Sequence, residues 1–240
     1  MKYFALISFL IFFTFSCTNK QTIITEKDSK SDSLAKIEEM KNTPKKIEMY
    51  TEMNFTDDSL VELIRLDSSF LVDMPYATDS NFTKTKLYPC NKCVIRYKVA
   101  LALIKANNIL KEKGVKLKML DCYRPLSVQR KMWEVYPNAV YVADPNSGQA
   151  SMHNRGVAVD VTLIDNAGNE LDMGTPFDFF GKKAWPTYRD FPAEILANRD
   201  LLTNAMDMAG FRHSNSEWWH FSLRGVSFPI EDTPLPCDEE

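Results

Sequence analysis

Apolar residues recur at helical spacing in two segments of the chain. In the first, residues 97–113, they return every three or four positions: Val99, Leu103, Ala106 and Leu110. Gly114 follows as a C-terminal cap, and we expect this helix to pack against a sheet. The same reasoning predicts a second helix from Pro192 to Met208. A third helix is predicted where Ser127 opens it after the break at residues 123–125, and it runs to about Tyr136.

Alternating apolar and polar residues predict strands elsewhere. The clearest strand covers residues 157–163, where side chains alternate between two faces. One face is apolar and is predicted to face the core: Val157, Val159, Val161 and Leu163. The other face has Ala158, Asp160 and Thr162. Residues 116–122 and the aromatic segment 217–223 also read as strands. Residues 60–73 predict a strand or a strand preceded by a helical turn. The polar turn at residues 165–169 is consistent with a hairpin.

The composition is that of an ordinary globular protein. The 240 residues are 45% hydrophobic and 25% charged, which allows one sizeable core and predicts a single folded domain. The formal net charge is -3, and lysines and arginines are scattered along the chain. Because no basic field results, we expect no nucleic-acid partner.

The N-terminus has the pattern of an export signal. Lys2 precedes an apolar run, residues 4–15, that is too short to span a bilayer as a mature helix. Cys17 follows Ser16 as in a bacterial lipoprotein signal, which predicts a signal peptide at residues 1–16 and a lipidated Cys17. The protein would then be membrane-anchored and face the periplasm or the cell exterior. The alternative is a signal cleaved elsewhere, with Cys17 as a bystander.

Residues 17–52 are polar and charged, and they contain no glycine. Such a composition buries too little apolar surface to fold alone, so we interpret it as a flexible tether; a short amphipathic helix is the alternative. The folded domain is predicted at residues 53–240. Its four cysteines, Cys90, Cys93, Cys122 and Cys237, permit two disulfides in three connectivities, as expected of an exported protein.

Two short stretches carry the residues that predict chemistry. His153 and Asp160 lie seven positions apart in the first, and Glu217 and His220 lie three apart in the second. The chain has only three histidines, and the third, His213, has no such partners and is interpreted as structural or solvated. Two histidines, one carboxylate ligand and a spare carboxylate as general base are the components of a catalytic zinc site.

One geometric condition accompanies this prediction. Residues three apart in a regular strand lie on opposite faces, so Glu217 must lie just before the strand or at a bulge to share a site with His220. Arg124, at a strand-to-helix corner, is the candidate for pairing with the carbonyl oxygen or with a substrate carboxylate. A solvated or capping arginine is the alternative.

These residues form a pattern, Ser151-x-His153-x-x-Gly156-x-Ala158-x-Asp160 with Glu217-x-Trp219-His220. It resembles the D-alanyl-D-alanine dipeptidases known from vancomycin-resistance clusters, within the zinc D-Ala-D-Ala peptidases related to the hedgehog and lysostaphin folds. The likeness extends to Tyr76-Ala-Thr, Asn81-Phe-Thr83, Tyr123-Arg124-Pro125 and the stretch 172–178, and it covers about residues 58–227.

The resemblance implies an α+β fold, with a central antiparallel sheet and packed helices. It implies one zinc ion held by His153, Asp160 and His220, with Glu217 as base and Arg124 steadying the tetrahedral intermediate. Ser151 would help to bind the substrate's ammonium end. The implied reaction is hydrolysis of D-Ala-D-Ala, in scavenging or wall recycling if the protein is exported. The alternatives are a carboxypeptidase acting on longer wall peptides and a non-catalytic zinc-binding lipoprotein of the cell wall.

Overall fold

The structure is a computed structural model that describes residues 54–237. The predicted signal peptide, Cys17 and the tether lie outside the described residues, so those predictions stay predictions. Within residues 54–237, no helix is both long enough and apolar enough to cross a membrane.

Seven strands and four α-helices form within the described part of the chain. The strands are β1 (Leu60–Glu62), β2 (Leu71–Val72), β3 (Val94–Arg96), β4 (Val115–Asp121), β5 (Ala158–Asp165), β6 (Phe211–His213) and β7 (His220–Leu223). The helices are α1 (Leu63–Leu66), α2 (Tyr97–Lys111), α3 (Leu126–Val135) and α4 (Ala193–Met208). Short 3-10 helices cover Pro75–Ala77, Met152–Arg155 and Lys182–Ala184.

The main sheet has five strands in the order β2-β4-β5-β7-β6. Neighbouring strands pair antiparallel across β4, β5, β7 and β6. The short strand β2 pairs parallel to β4 at the edge of the sheet. A separate antiparallel pair joins β1 to β3. Helix α2 packs against β4 and α4. The predicted α+β class is therefore confirmed, although the sequence predicted neither the parallel β2–β4 pair nor the separate β1–β3 sheet.

The predicted helices are confirmed, with small corrections at their ends. Helix α2 ends at Lys111, and Gly114 has a φ of 77°, which suits glycine. Ser127 does not open α3, which begins at Leu126 after Pro125. The Ser127 backbone N–H is instead satisfied by the Asp232 carboxylate at 2.7 Å. Residues 60–73 form β1, α1 and β2 in succession, so strand and helical turn are both present.

The central strand β5 is buried on both faces. Val159, Val161 and Leu163 on one face are fully buried, as the alternation predicts. On the other face, Asp160 and Thr162 are 3% and 1% exposed, so this face is covered as well. The register of β4 against β5 shifts between Met119 and Asp121, and Asp121 then pairs with Asp160. This irregularity redirects the chain at the end of β4.

The strand predicted at residues 217–223 is shorter than expected. It begins at His220, because Trp218 and Trp219 form a turn that interrupts the extended backbone. Glu217 lies before that turn and outside the strand. Glu217 therefore lies just before the strand, as it must if it is to share a site with His220.

Candidate active site

His153 lies in the 3-10 helix Met152–Arg155, which directly precedes β5. Ser151 caps this helix: its hydroxyl oxygen accepts the His153 backbone N–H at 3.2 Å. In return, the Asn154 side-chain oxygen accepts the Ser151 backbone N–H at 2.8 Å, which completes a capping box. Gly156 ends the helix with a φ of 66°. The local sequence thus fixes the backbone that carries His153.

Asp160 and His220 are directly opposite each other on β5 and β7. Because the side-chain direction alternates along a strand, cross-strand partners project to the same face of the sheet. That face is the one the sequence assigns to Asp160. The antiparallel pairing therefore brings together two residues that are 60 positions apart in the chain.

The three predicted ligands converge on one point. Asp160 Oδ1 lies 3.0 Å from His220 Nδ1 and 3.3 Å from His153 Nε2, and the two ring nitrogens are 3.1 Å apart. Ligand atoms about 2.0–2.1 Å from a tetrahedral zinc ion lie about 3.3 Å from one another. The triangle therefore fits a zinc ion and leaves a fourth position for water or substrate.

The orientation of His153 is set from outside the triangle. Its Nδ1–H donates to the Cys122 backbone carbonyl at 2.7 Å, which directs Nε2 toward the other two ligand atoms. Burial lowers the pKa of His153, but the Asp160 and Asp121 carboxylates outweigh burial and raise this pKa above its ordinary value. Burial likewise opposes the ionised Asp160, yet the two histidines hold the Asp160 pKa well below its usual range.

Glu217 lies beside the triangle without belonging to it. Its Oε2 is 3.9 Å from His220 Nδ1, and its side chain is 16% exposed. Burial raises the pKa of Glu217 to about 7, so the carboxylate exchanges protons near neutral pH. A general base is most effective when its pKa lies near the working pH. The position and the pKa both suit the predicted role.

Arg124 is buried, so the alternative of a solvated or capping side chain is wrong. Its Nε and Nη2 donate to Asp121 Oδ2, and its Nη1 donates to Gln129 Oε1 at 2.8 Å. Asp121 is itself held by the Tyr88 hydroxyl at 2.6 Å. Burial opposes the charge of Arg124, but Asp121 keeps the Arg124 pKa well above its ordinary value. The guanidinium is therefore a fixed cation in the site.

Asp178 and Tyr76 are functional candidates that sequence reasoning missed. The Tyr76 hydroxyl donates to both Asp178 carboxylate oxygens, at 3.0 and 2.9 Å, and both residues line the same cavity as the ligands. Burial, with Asp160 nearby, raises the pKa of Asp178 to about 8. Both residues lie in the stretches that resemble the dipeptidase family, which was the signal available.

A cavity of about 260 Å³ holds these groups together. All six residues predicted for the site line it: Arg124, Ser151, His153, Asp160, Glu217 and His220. His213 does not, and its Nδ1 lies 2.7 Å from the Ser214 carbonyl oxygen, which agrees with a structural role. Phe82, Tyr141 and Phe180 add an aromatic side to the cavity, where Tyr141 stacks on Phe180 with ring centroids 4.7 Å apart.

Fold and site together define a class of protein. An α+β domain presents two imidazoles and a carboxylate at ion-binding separations, beside a proton-exchanging carboxylate and a fixed guanidinium in one small cavity. This arrangement is that of a metal-dependent hydrolase.

Comparison with known proteins specifies the family. The family described as D-ala-D-ala dipeptidase matches residues 57–235. The D-alanyl-D-alanine dipeptidase of Escherichia coli (strain K12) is 34% identical over 179 residues, which are 74% of this chain and 92% of the relative. The D-alanyl-D-alanine dipeptidase of Enterococcus faecium is 29% identical over 198 residues, 74% of this chain and 95% of the relative. The chain belongs to the D-Ala-D-Ala dipeptidase family.

Among solved structures, a vancomycin-resistance D,D-pentapeptidase, VanY from a VanB-type resistance cassette in complex with Zn(II), is 16% identical. The match has a TM-score of 0.36 and covers 56% of this chain and 75% of that chain.

Proposed function

We propose that the protein hydrolyses the peptide bond of D-alanyl-D-alanine with one zinc ion held by His153, Asp160 and His220. The observation that carries the proposal is the convergence of their three ligand atoms, none more than 3.3 Å from another, in a chain of the dipeptidase family. The donor set of two imidazoles and one carboxylate is typical of catalytic zinc sites.

Bound zinc would supply a Lewis acid for the peptide carbonyl and lower the pKa of the attacking water. Glu217 accepts the proton of that water and returns it to the leaving amine, since its pKa of about 7 allows both transfers near neutral pH. Arg124 donates its remaining N–H groups to the carbonyl oxygen as that oxygen becomes negative. Asp121 and Gln129 hold the guanidinium in place for this purpose.

The ammonium end of a dipeptide substrate needs a negatively charged group of the protein as its partner. Asp178 supplies a carboxyl group for the substrate ammonium group, because it lines the cavity and its only side-chain hydrogen-bond donor in the described structure is the neutral Tyr76 hydroxyl. The pKa of Asp178 is raised to about 8 without substrate, and the positive charge of a bound ammonium group would favour the ionised carboxylate. Ser151 is the second group proposed to bind the ammonium end. Its hydroxyl oxygen already accepts the His153 N–H, and oxygen has a further lone pair for the substrate.

The size of the cavity favours a dipeptide. Its volume of about 260 Å³ is slightly below the roughly 300–1,000 Å³ of pockets that bury drug-sized ligands. Phe82, Tyr141 and Phe180 are among the residues that enclose this small volume. We therefore place a carboxypeptidase activity on longer wall peptides second to the dipeptidase activity.

We further propose that the enzyme acts outside the cytoplasm, attached through a lipidated Cys17. The support is the N-terminal pattern together with two disulfides, Cys90–Cys237 and Cys93–Cys122, of a kind that persists in oxidising compartments. An exported enzyme has no access to D-Ala-D-Ala before it enters cell-wall precursors, so the proposed role is scavenging or wall recycling.

Zinc-loaded protein assayed with D-Ala-D-Ala and with a pentapeptide ending in D-Ala-D-Ala tests the activity. We expect release of D-Ala from the dipeptide and much slower cleavage of the pentapeptide. Glu217→Ala removes the base but none of the ligands, so it should retain zinc and lose about 10²–10⁴ in kcat. Glu134→Ala, an exposed position on α3 outside the cavity, is the matched control and should keep full activity.

Three outcomes separate the hypotheses. Faster cleavage of the pentapeptide than of the dipeptide would support the carboxypeptidase alternative. Hydrolysis of neither substrate by protein that binds zinc would support a non-catalytic zinc-binding lipoprotein. Undiminished activity of Glu217→Ala would refute the role of Glu217 as base.

A further inference from the structure

The corner between β4 and α3, residues 122–125, contacts much of the candidate site. The strand pairing of the main sheet does not fix its position. The ladder between β4 and β5 is irregular from Met119 to Asp121, and β4 ends at Asp121. Cys122, Tyr123 and Arg124 follow without regular strand pairing to β5. Their positions therefore depend on other contacts.

The Cys93–Cys122 disulfide is the covalent contact of this corner. Cys93 directly precedes β3, which belongs to the two-stranded sheet, whereas Cys122 directly follows β4 of the main sheet. Both cysteines are buried, at 1% and 0% exposure. Beside the disulfide, the Tyr123 N–H donates to the Val94 carbonyl at 2.8 Å. The disulfide thus joins the two sheets at the point where the main ladder becomes irregular.

Two parts of the candidate site are attached to this corner. The Cys122 carbonyl accepts the His153 Nδ1–H at 2.7 Å, which orients the metal-binding nitrogen on the other side of the ring. The Arg124 backbone N–H donates to the His153 carbonyl at 3.1 Å, and Asp121 holds the Arg124 guanidinium. A displacement of Cys122 would therefore move the hydrogen-bond acceptor of His153 and shift the guanidinium.

We infer that the Cys93–Cys122 disulfide is a positioning element for zinc binding and catalysis, through the Cys122 carbonyl and the Asp121–Arg124 pair. The inference rests on the proposed function, because it assigns His153 to zinc and Arg124 to the substrate. Outer-shell groups that orient a metal ligand change metal affinity or activity by about 10- to 100-fold when they are altered.

The other disulfide provides a matched control. Cys90–Cys237 closes a far longer segment, with a sequence separation of 147 against 29 for Cys93–Cys122. Neither Cys90 nor Cys237 lines the cavity, and no side chain of the site donates to their carbonyl oxygens in the described structure. A purely stabilising effect of disulfides would therefore appear in both pairs, whereas a positioning effect would appear in Cys93–Cys122 alone.

The experiment compares two double variants of the full chain, Cys93→Ser with Cys122→Ser and Cys90→Ser with Cys237→Ser. Zinc affinity is measured by chelator competition, and kcat and KM are measured for D-Ala-D-Ala. We expect the first variant to bind zinc about 10- to 100-fold more weakly. Its kcat should fall by a larger factor than its KM rises. The KM should change less because Asp178 and Tyr76 belong to other segments. The second variant should match the unsubstituted protein in zinc affinity.

Equal zinc affinity in the two double variants would overturn the inference. If the first variant fails to fold, the unsubstituted protein is reduced under native conditions, and zinc retention is followed against the fraction of reduced Cys93–Cys122 measured by mass spectrometry. Loss of zinc that reverses on reoxidation supports the inference, and full retention overturns it. Zinc binding without hydrolysis by the unsubstituted protein would refute the proposed function, while the affinity comparison would still decide the role of the disulfide.

Discussion

At the scale of single residues, His153 combines a raised pKa with the proposed role of a metal ligand. Zinc binds the unprotonated imidazole, so each bound ion must displace the proton from Nε2. Burial lowers the pKa of His153, but Asp160 and Asp121 raise it above its ordinary value. The metal-free protein therefore holds this proton up to a higher pH than an ordinary histidine would.

We expect zinc affinity to weaken as the pH falls through the raised pKa of His153, by at least about tenfold for each pH unit below it, since the His153 proton competes with the ion. Above that pKa, His153 should contribute no further pH dependence. Chelator competition between about pH 5 and 8 measures the effect. His213→Gln, which changes a histidine outside the cavity, should give the same curve, and a flat curve for the unsubstituted protein would contradict the assignment of His153.

Single residues also show what sequence reasoning omits. His153, Asp160, Glu217 and His220 were predictable because scarce histidines and paired carboxylates have few chemical uses in this spacing. Asp178 was not, because aspartate is common and its partner, Tyr76, lies 102 positions earlier. Its significance comes from burial and from the cavity it lines, and both depend on the folded chain.

At the scale of elements, the 3-10 helix that carries His153 ends at Gly156. The φ of Gly156 is 66°, and a Cβ at this position would lie 3.0 Å from Arg96 Cγ and 3.3 Å from Leu60 Cδ2. A substitution therefore meets both backbone strain and close neighbours.

Gly156→Ala should lower the free energy of unfolding by about 1–3 kcal/mol and weaken zinc binding, because the strain falls on the helix that holds His153. Gly168→Ala is the matched control, since Gly168 also has a positive φ, 91°, but a Cβ there would have open space. It should lower stability through backbone strain alone and leave zinc affinity unchanged. Urea unfolding and chelator competition measure the two effects, and equal zinc loss in both variants would argue against the proposed cause.

Element boundaries were predictable where local chemistry sets them. Apolar spacing and a following glycine located α2 and α4 to within a few residues. The spacing of Glu217 and His220 required an irregular backbone, but it did not specify the turn at Trp218 and Trp219. That turn depends on tertiary packing: the Trp218 indole donates to the Thr175 hydroxyl at 2.8 Å, and Trp219 is buried.

At the scale of the whole molecule, the strand order and the disulfide pairing were beyond local reasoning. The four cysteines allow three connectivities, and only the folded chain brings Cys90 to Cys237 and Cys93 to Cys122. The buried network of Asp121, Arg124 and Tyr88 likewise joins segments whose closeness no periodicity encodes. Resemblance to a family indicated the fold class, whereas the pattern of apolar residues alone did not order the strands.

The attachment of the protein to a membrane is also a property of the whole chain. Cys17→Ala removes the proposed lipidation site, so we expect the variant to leave the membrane fraction, because each buried lipid CH₂ group contributes about 0.8 kcal/mol to anchoring. Cell fractionation and the intact mass of the purified protein provide the measurement. Glu134→Ala should remain in the membrane fraction, and an unsubstituted protein without a lipid mass would contradict the prediction.

The direct pairing of Asp160 with His220 has a consequence for folding. A slip of β7 against β5 by one residue would turn every side chain of β7 to the opposite face and separate the two proposed ligands. An ion that needs both ligands binds only the native alignment, and by mass action it stabilises that alignment over its neighbours. Zinc present during refolding would therefore raise the fraction of chains whose central strands are correctly aligned.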